Sequence, residues 1–206
     1  MQQLDARQAR WAAMVALERA TGTAALNLAI TYNKASVFFA FGTTGAAGGA
    51  GTYYFDELNF VAGGGGGGGG GSVAGLPIDF DTAGVTYTLT GFGGAEDATV
   101  AAGVAGANGS VARVVKSATA ELWAGTTVST GANQSIATIP FTATARSMTL
   151  RVRAPAAGIV VRLKVEDAAD NTHTVETEAT TTVANAWETL TFNFANQATG
   201  TAALNL

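Results

Sequence analysis

Without a single cysteine, this chain can form no disulfide, no thiolate zinc site and no thiol nucleophile. Its one histidine, His173, excludes a metal site built from several imidazoles. Basic residues are few: 11 Lys and Arg against 15 Asp and Glu give a formal net charge of -4, which provides no electrostatic footprint for nucleic acid. No apolar run approaches the roughly 18 residues of a membrane-spanning helix. Residues 1–20, interrupted by Arg7, Arg10, Glu18 and Arg19, lack the continuous apolar stretch of a secretory signal. Neither nucleic acid nor a membrane is therefore expected as a partner. The lack of cysteine suits an extracellular bacterial protein and a cytosolic one alike.

What is present is repetition. Residues 20–28, ATGTAALNL, recur letter for letter as residues 198–206. The first copy runs on into Ala29-Ile30-Thr31-Tyr32, so the second reads as another approach to the same segment, and the chain reads as a circle cut open with an overlap. Nine glycines, Gly63 to Gly71, stand where the ends of an ordinary domain would be joined. Such a tract packs no side chains, loses much entropy on ordering and spans about 15–20 Å, which suits a connector. A phosphate cradle is not expected, because neither a helix-forming segment nor Lys-Ser/Thr follows. With 48% hydrophobic residues in 206, one domain of about 150–180 residues plus appendages is the natural count.

Gln2 to Arg19 contain no Gly or Pro and place Leu4, Trp11, Met14, Val15 and Leu17 at spacings of roughly three to four. They predict one N-terminal α-helix over residues 1–19, with a narrow apolar stripe that wants a partner surface. It reads as a fusion, docking or oligomerisation element. From Thr21 onward Thr, Val, Gly and aromatic residues predict strands. Ser36–Phe41 and Thr52–Val61 are expected either to pair or to face each other across a sandwich. Further strands are predicted at Pro77–Phe80, Tyr87–Phe92, Ser110–Val115, Thr126–Ser129, Ser135–Pro140, Ser147–Ala154, Ile159–Glu166, Thr172–Thr181 and Trp187–Phe194, separated by turn signals such as Gly93-Gly94 and Asn108-Gly109. Leu150 and Val152 alternate with Arg151 and Arg153, Val161, Leu163 and Val165 with Arg162, Lys164 and Glu166, and Leu190, Phe192 and Phe194 with Thr189, Thr191 and Asn193. One face is core and the other wet. The fold class is all-β, an antiparallel β-sandwich or jelly roll. Residues 20–62 and 72–206 belong to one sandwich, with 63–71 as its linker.

Read in the order Leu76 to Asn205 and then Ala29 to Val61, the stretches IDFDTAGVTYTLTGFGG (78–94), SVARVVKSATAELWAG (110–125), MTLRVRAPAAGIVVRLKVED (148–167), TTTVANAWETLTFNF (180–194), KASVFFAFG (34–42) and TYYFDELNF (52–60) resemble a carbohydrate-binding-module-like β-sandwich. Such sandwiches are galactose-binding-like jelly rolls found in secreted polysaccharide-degrading and cell-surface proteins. In that pattern the last two stretches follow the Trp-led strand. Their place at the front implies circular permutation, engineered or cut out of phase from a tandem array. The resemblance further implies an extracellular or cell-surface setting, no required cofactor, and a structural calcium ion held by Asp56 with Asp79 or Asp81. It also implies a polysaccharide partner gripped by exposed rings and polar side chains. Trp123, Arg151, Arg153, Arg162, Lys164 and Glu176 are the candidates, while Trp187 is expected in the core.

Glycoside hydrolysis needs two acids about 5–9.5 Å apart across a cleft. Glu166, Glu176 and Glu178 stand on predicted neighbouring strands beside basic residues, which is the pattern of cross-strand charge pairing on a solvated face. The expected function is accordingly a non-catalytic module of carbohydrate-binding type. The alternative is a structural or self-assembling protein without a small-molecule ligand. Its helix (Leu4, Trp11, Met14, Val15, Leu17) and duplicated segment (Leu26, Leu28, Leu204, Leu206) would direct self-association, head to tail or by strand swapping.

Overall fold

A computed structural model describes residues 30–62 and 74–206. The predicted helix over 1–19, the first copy of the repeat and the glycines 63–71 lie outside the described residues, and with them Leu4, Trp11, Met14, Val15, Leu17, Leu26 and Leu28.

Ten strands form the described fold: β1 (Lys34–Phe39), β2 (Gly51–Val61), β3 (Thr88–Phe92), β4 (Asp97–Ala101), β5 (Val111–Lys116), β6 (Gly125–Ser129), β7 (Ser147–Arg153), β8 (Val160–Glu166), β9 (Thr174–Thr180) and β10 (Trp187–Asn193). They make two five-stranded antiparallel sheets, the first in the order β3-β6-β1-β8-β9 and the second in the order β10-β7-β2-β5-β4. This is the expected β-sandwich. Among the described residues no helix is long and apolar enough to cross a membrane.

The alternation in sequence accounts for the facing of each strand. On β7 the residues Met148, Leu150 and Val152 are fully buried, and on β8 so are Val161, Leu163 and Val165, while the intervening residues are half-exposed or paired. Leu190 and Phe192 on β10, with Phe194 beyond it, complete the inner layer. β1 and β2 do not pair with each other: each takes the central place of its own sheet, and they face across the core. The Phe39 and Tyr53 rings stack there at 4.8 Å and 11°, and the Tyr53 hydroxyl donates to the Gly49 carbonyl at 3.0 Å. A single wide helical turn, Gly45–Gly49, lies between the two strands.

Lys116, at the end of β5, ties the sheets together. Its side chain is directed inward and 2% exposed. The ammonium donates to the carbonyls of Phe39 (3.2 Å), Ala40 (3.0 Å) and Thr43 (2.7 Å), where the chain leaves β1. Three donors thus meet three acceptors.

Two predicted strands differ from the structure, and one observed strand was not predicted. Pro77–Phe80 contributes a single bridge, Leu58 to Ile78. Ser135–Pro140 is no strand: its buried residues Ile136 and Ile139 stand three apart, and their amides donate to the Asn33 and Tyr32 carbonyls at 2.8 Å each. β4 was not predicted. It is an edge strand of Ala, Thr and Val with little buried surface, so it carries almost no periodic signal.

Candidate functional site

Phe38 and Phe39 are consecutive on β1, so the strand pleat sends one ring to each face of the sheet. Phe39 enters the core, and Phe38 lies on the outer face of the first sheet. Its neighbours there are Phe41 at 5.7 Å and 84° and Phe92 at 5.6 Å and 70°, and Phe92 in turn stacks on Trp123 at 6.1 Å and 17°. Two glycines make room for this row. A Cβ on Gly125 would lie 2.6 Å from the Phe38 ring, and one on Gly93, which has φ +67°, would press on the Trp123 indole at 2.8 Å. Trp123 remains 48% exposed at one end of the row. At the other end the Arg162 guanidinium sits 3.5 Å from the Phe41 ring centre, within cation–π range.

Beside the rings runs a polar row. Sheet register sets Thr90, Thr127, Ser36, Lys164 and Glu176 side by side on β3, β6, β1, β8 and β9. The Ser36 and Thr127 hydroxyls are 2.8 Å apart. Rings and polar row together line a cleft of about 640 Å³, with Gln134 and Thr201 among its lining residues. That volume falls within the range of small-ligand sites. Its charges are paired: Arg162 donates to Glu176 at 2.7 Å and to Glu178, Lys164 lies 2.8 Å from Glu166, and Lys34 lies 3.7 Å from the same carboxylate. Three cations and three carboxylates leave the face electrically balanced.

Of the residues expected from sequence to bind a ligand, Trp123, Arg162, Lys164 and Glu176 come together in this cleft. Arg151 and Arg153 do not. Both are on β7, on the outer face of the second sheet and so on the opposite side of the sandwich. Arg151 donates to the Gly106 carbonyl at 2.7 Å and stands 3.6 Å from Asp56, and Arg153 donates to the Asn185 carbonyl at 3.2 Å. Alternation predicts that these arginines face outward, but it carries no information about which sheet receives the strand.

Trp187 is not in the core. It shares the outward parity of Thr189 and Thr191 on β10, is half-buried, and lies under the Arg151 guanidinium at 4.6 Å. Its indole N–H donates to the Ala105 carbonyl at 3.0 Å. Phe38, Phe41 and Phe92, which line the cleft, were not among the residues expected there, although the Phe38-Phe39 doublet signals that one ring must face outward.

The expected calcium ligands do not form a fitting set. Asp56 is 3% exposed and already faces Arg151. Asp79 accepts from the Tyr87 hydroxyl at 2.7 Å, the Thr82 hydroxyl and the Asp81 amide. Burial pushes its carboxyl up, but these hydrogen bonds bring it below the usual carboxylate value. Asp81 accepts from the Ser110 amide at 2.9 Å. Calcium needs six to eight oxygens turned toward one point. Among the described residues no group of three or more His, Cys, Asp or Glu is placed to hold a metal ion.

The second copy of the repeat is seated near this site. Leu204 packs against the core, whereas Leu206 is 47% exposed. No model of a known protein family, no curated protein and no solved structure matches the chain.

Proposed function

We propose that this chain is a non-catalytic glycan-binding β-sandwich, a carbohydrate-binding module in permuted form, and that its ligand is a neutral oligosaccharide or polysaccharide seated in the cleft of the first sheet. The observation that carries this reading is the row of Phe41, Phe38, Phe92 and Trp123 alongside the row of Thr90, Thr127, Ser36, Lys164 and Glu176. A pyranose ring offers an apolar C–H face and a rim of hydroxyls, and the cleft offers an aromatic strip and a strip of donors and acceptors in the same order.

The paired charges favour a neutral sugar, because a uronate or sulfate would meet Glu176 and Glu178 as closely as Arg162. Those two acids are both held by Arg162. Glycoside hydrolysis instead requires one protonated carboxyl acting across the bond from another. The permuted reading is supported by the backbone amide of Asn205, which donates to the Tyr32 hydroxyl at 3.2 Å, so the C-terminal copy of the repeat arrives beside the start of β1. A polysaccharide ligand implies an extracellular or cell-surface setting.

Affinity electrophoresis in gels containing β-glucan, xylan or mannan is expected to retard the protein, and gels containing pectate or alginate are not. Trp123→Ala removes the exposed stacking surface and is expected to weaken retardation about tenfold, from a stacking contribution of about 1–1.5 kcal/mol. Its effect on Tm is expected to be small, since the ring is half exposed. Arg153→Ala, on the opposite face, is expected to leave binding intact. Migration unaffected by every neutral polysaccharide, or binding indifferent to Trp123→Ala, would sink the proposal.

A further inference from the structure

Among the described residues one copy of the repeated nonapeptide is seated, and the chain contains two copies of it. Ala198, the first residue of the C-terminal copy, is 8% exposed and donates its amide to the Glu176 carbonyl on β9 at 2.7 Å. Thr201 closes a turn back onto the Ala198 carbonyl through its amide (3.1 Å) and its hydroxyl (2.8 Å), and Gly200 supplies the left-handed backbone at φ +81°. Leu204 packs on the core, and the Asn205 amide reaches the Tyr32 hydroxyl. Each of these features has an identical counterpart in residues 20–28: Ala20, Gly22, Thr23, Leu26 and Asn27.

We propose that this seat between β9 and Tyr32 is a binding site for the sequence ATGTAALNL, and that its second occupant is the N-terminal copy, residues 20–28, of the same chain. Identical residues make identical contacts, so the two copies compete on tether alone. The C-terminal copy is joined to β10 through Phe194-Ala195-Asn196-Gln197. The N-terminal copy is joined to Tyr32 through Ala29-Ile30-Thr31. From Asn27 to Tyr32 an extended chain reaches about 17 Å, more than a tyrosine side chain and a hydrogen bond require, so Asn27 can stand where Asn205 stands. Both tethers are short, and both copies act at high effective concentration. The two seated states then differ little in free energy and exchange. The exchange is independent of the glycan reading, although Thr201 lines the cleft and Thr23 would take its place there.

Two measurements test this. First, Tm is compared for the full chain, a chain lacking residues 1–28, one lacking 198–206, and one lacking both. Each single deletion is expected to stay within about 2 °C of the full chain, and the double deletion to fall by 5 °C or more. Equal losses for the double deletion and for removal of 198–206 alone would show that the N-terminal copy cannot take the seat, and no loss in the double deletion would show that there is no seat. If the chain lacking 198–206 keeps its Tm only as a concentration-dependent dimer, the occupant comes from a second molecule and the proposal in its present form is overturned. Second, the chain has no cysteine, so Leu204→Cys introduces a single thiol. Its labelling rate is expected to fall severalfold when residues 1–28 are removed, because the competitor for the seat is gone. An unchanged rate would overturn the proposal even if the variants lacking 198–206 misfold.

Discussion

Replacing Lys116 by alanine is expected to lower the unfolding free energy by about 3–5 kcal/mol, read as a fall in Tm of about 10 °C or as a reduced denaturant midpoint. Two losses add. The carbonyls of Phe39, Ala40 and Thr43 lose their common donor, and buried acceptors left unsatisfied cost about 1–3 kcal/mol each when water cannot replace the donor. The lysine stem also leaves a void between the sheets. Ala40 itself has φ 47°, a left-handed conformation that a residue with a Cβ adopts reluctantly, so the turn is held in place by its hydrogen bonds to Lys116 rather than by its own preference. Burial pushes the Lys116 ammonium below the ordinary lysine value, so its charge is itself unfavourable there and the three carbonyls offset that cost. Lys116→Met keeps the stem and removes both charge and donors, so its loss is expected to be smaller. A loss below about 1 kcal/mol for the alanine variant would mean that the turn finds other donors.

Asp56→Asn is expected to change the pH dependence of stability more than its level. Burial pushes the Asp56 carboxyl up to about 6; the Glu57 amide and Arg151 work against that rise, while the charges of Glu57 and Asp81 add to it. A folded-state value above the ordinary 3.8 means that the folded protein holds this proton more tightly than the unfolded chain. The stabilisation is therefore fully present below pH 3.8 and is lost as the pH rises through about 6. The whole shift corresponds to about 3 kcal/mol, of which about 2.4 kcal/mol falls between pH 4 and pH 7. Asp79, whose carboxyl is held below the usual value, contributes in the opposite sense and at lower pH. Denaturation of both proteins at pH 4 and pH 7 separates the two: the difference between wild type and Asp56→Asn should shift by about 2.4 kcal/mol. The asparagine can still accept from the Glu57 amide, as Asp56 does at 2.8 Å. Parallel curves would show that Asp56 titrates normally.

The strands with one buried and one wet face were the ones most legible in the sequence. β7, β8 and β10 carry an alternating apolar pattern, and every residue assigned inward on them, Leu150, Leu163 and Phe192 among them, is buried. β4 was illegible because an edge strand buries too little to impose a pattern. The site was read in halves. Charge and parity brought Arg162, Lys164 and Glu176 to one wet face, and Trp123 joined them there. The same rule could not separate Arg151 and Arg153 from that group, since sheet membership is decided by partners far away in sequence. Trp187 was placed in the core by the family resemblance, against its own outward parity on β10. The floor of the cleft depends on Gly125 and Gly93, whose missing side chains matter only once Phe38 and Trp123 lie over them.

The central placement of β1 and β2 also affects how the protein is made. Both strands leave the ribosome before any partner exists. Val165 on β8 is synthesised 130 residues after its neighbour Ala35 on β1, which at about 5–20 residues per second is a wait on the order of ten seconds. Until β5 and β6 emerge, Phe38, Phe39, Tyr53 and Phe55 have no strand to pair with, and until β7 and β8 follow each middle strand is paired along one edge only. Neither sheet can close around its middle strand until β8 and β7 emerge, so the two sheets consolidate together and late. A pulse-labelled chain would show this as a lag of the same length before protease resistance appears.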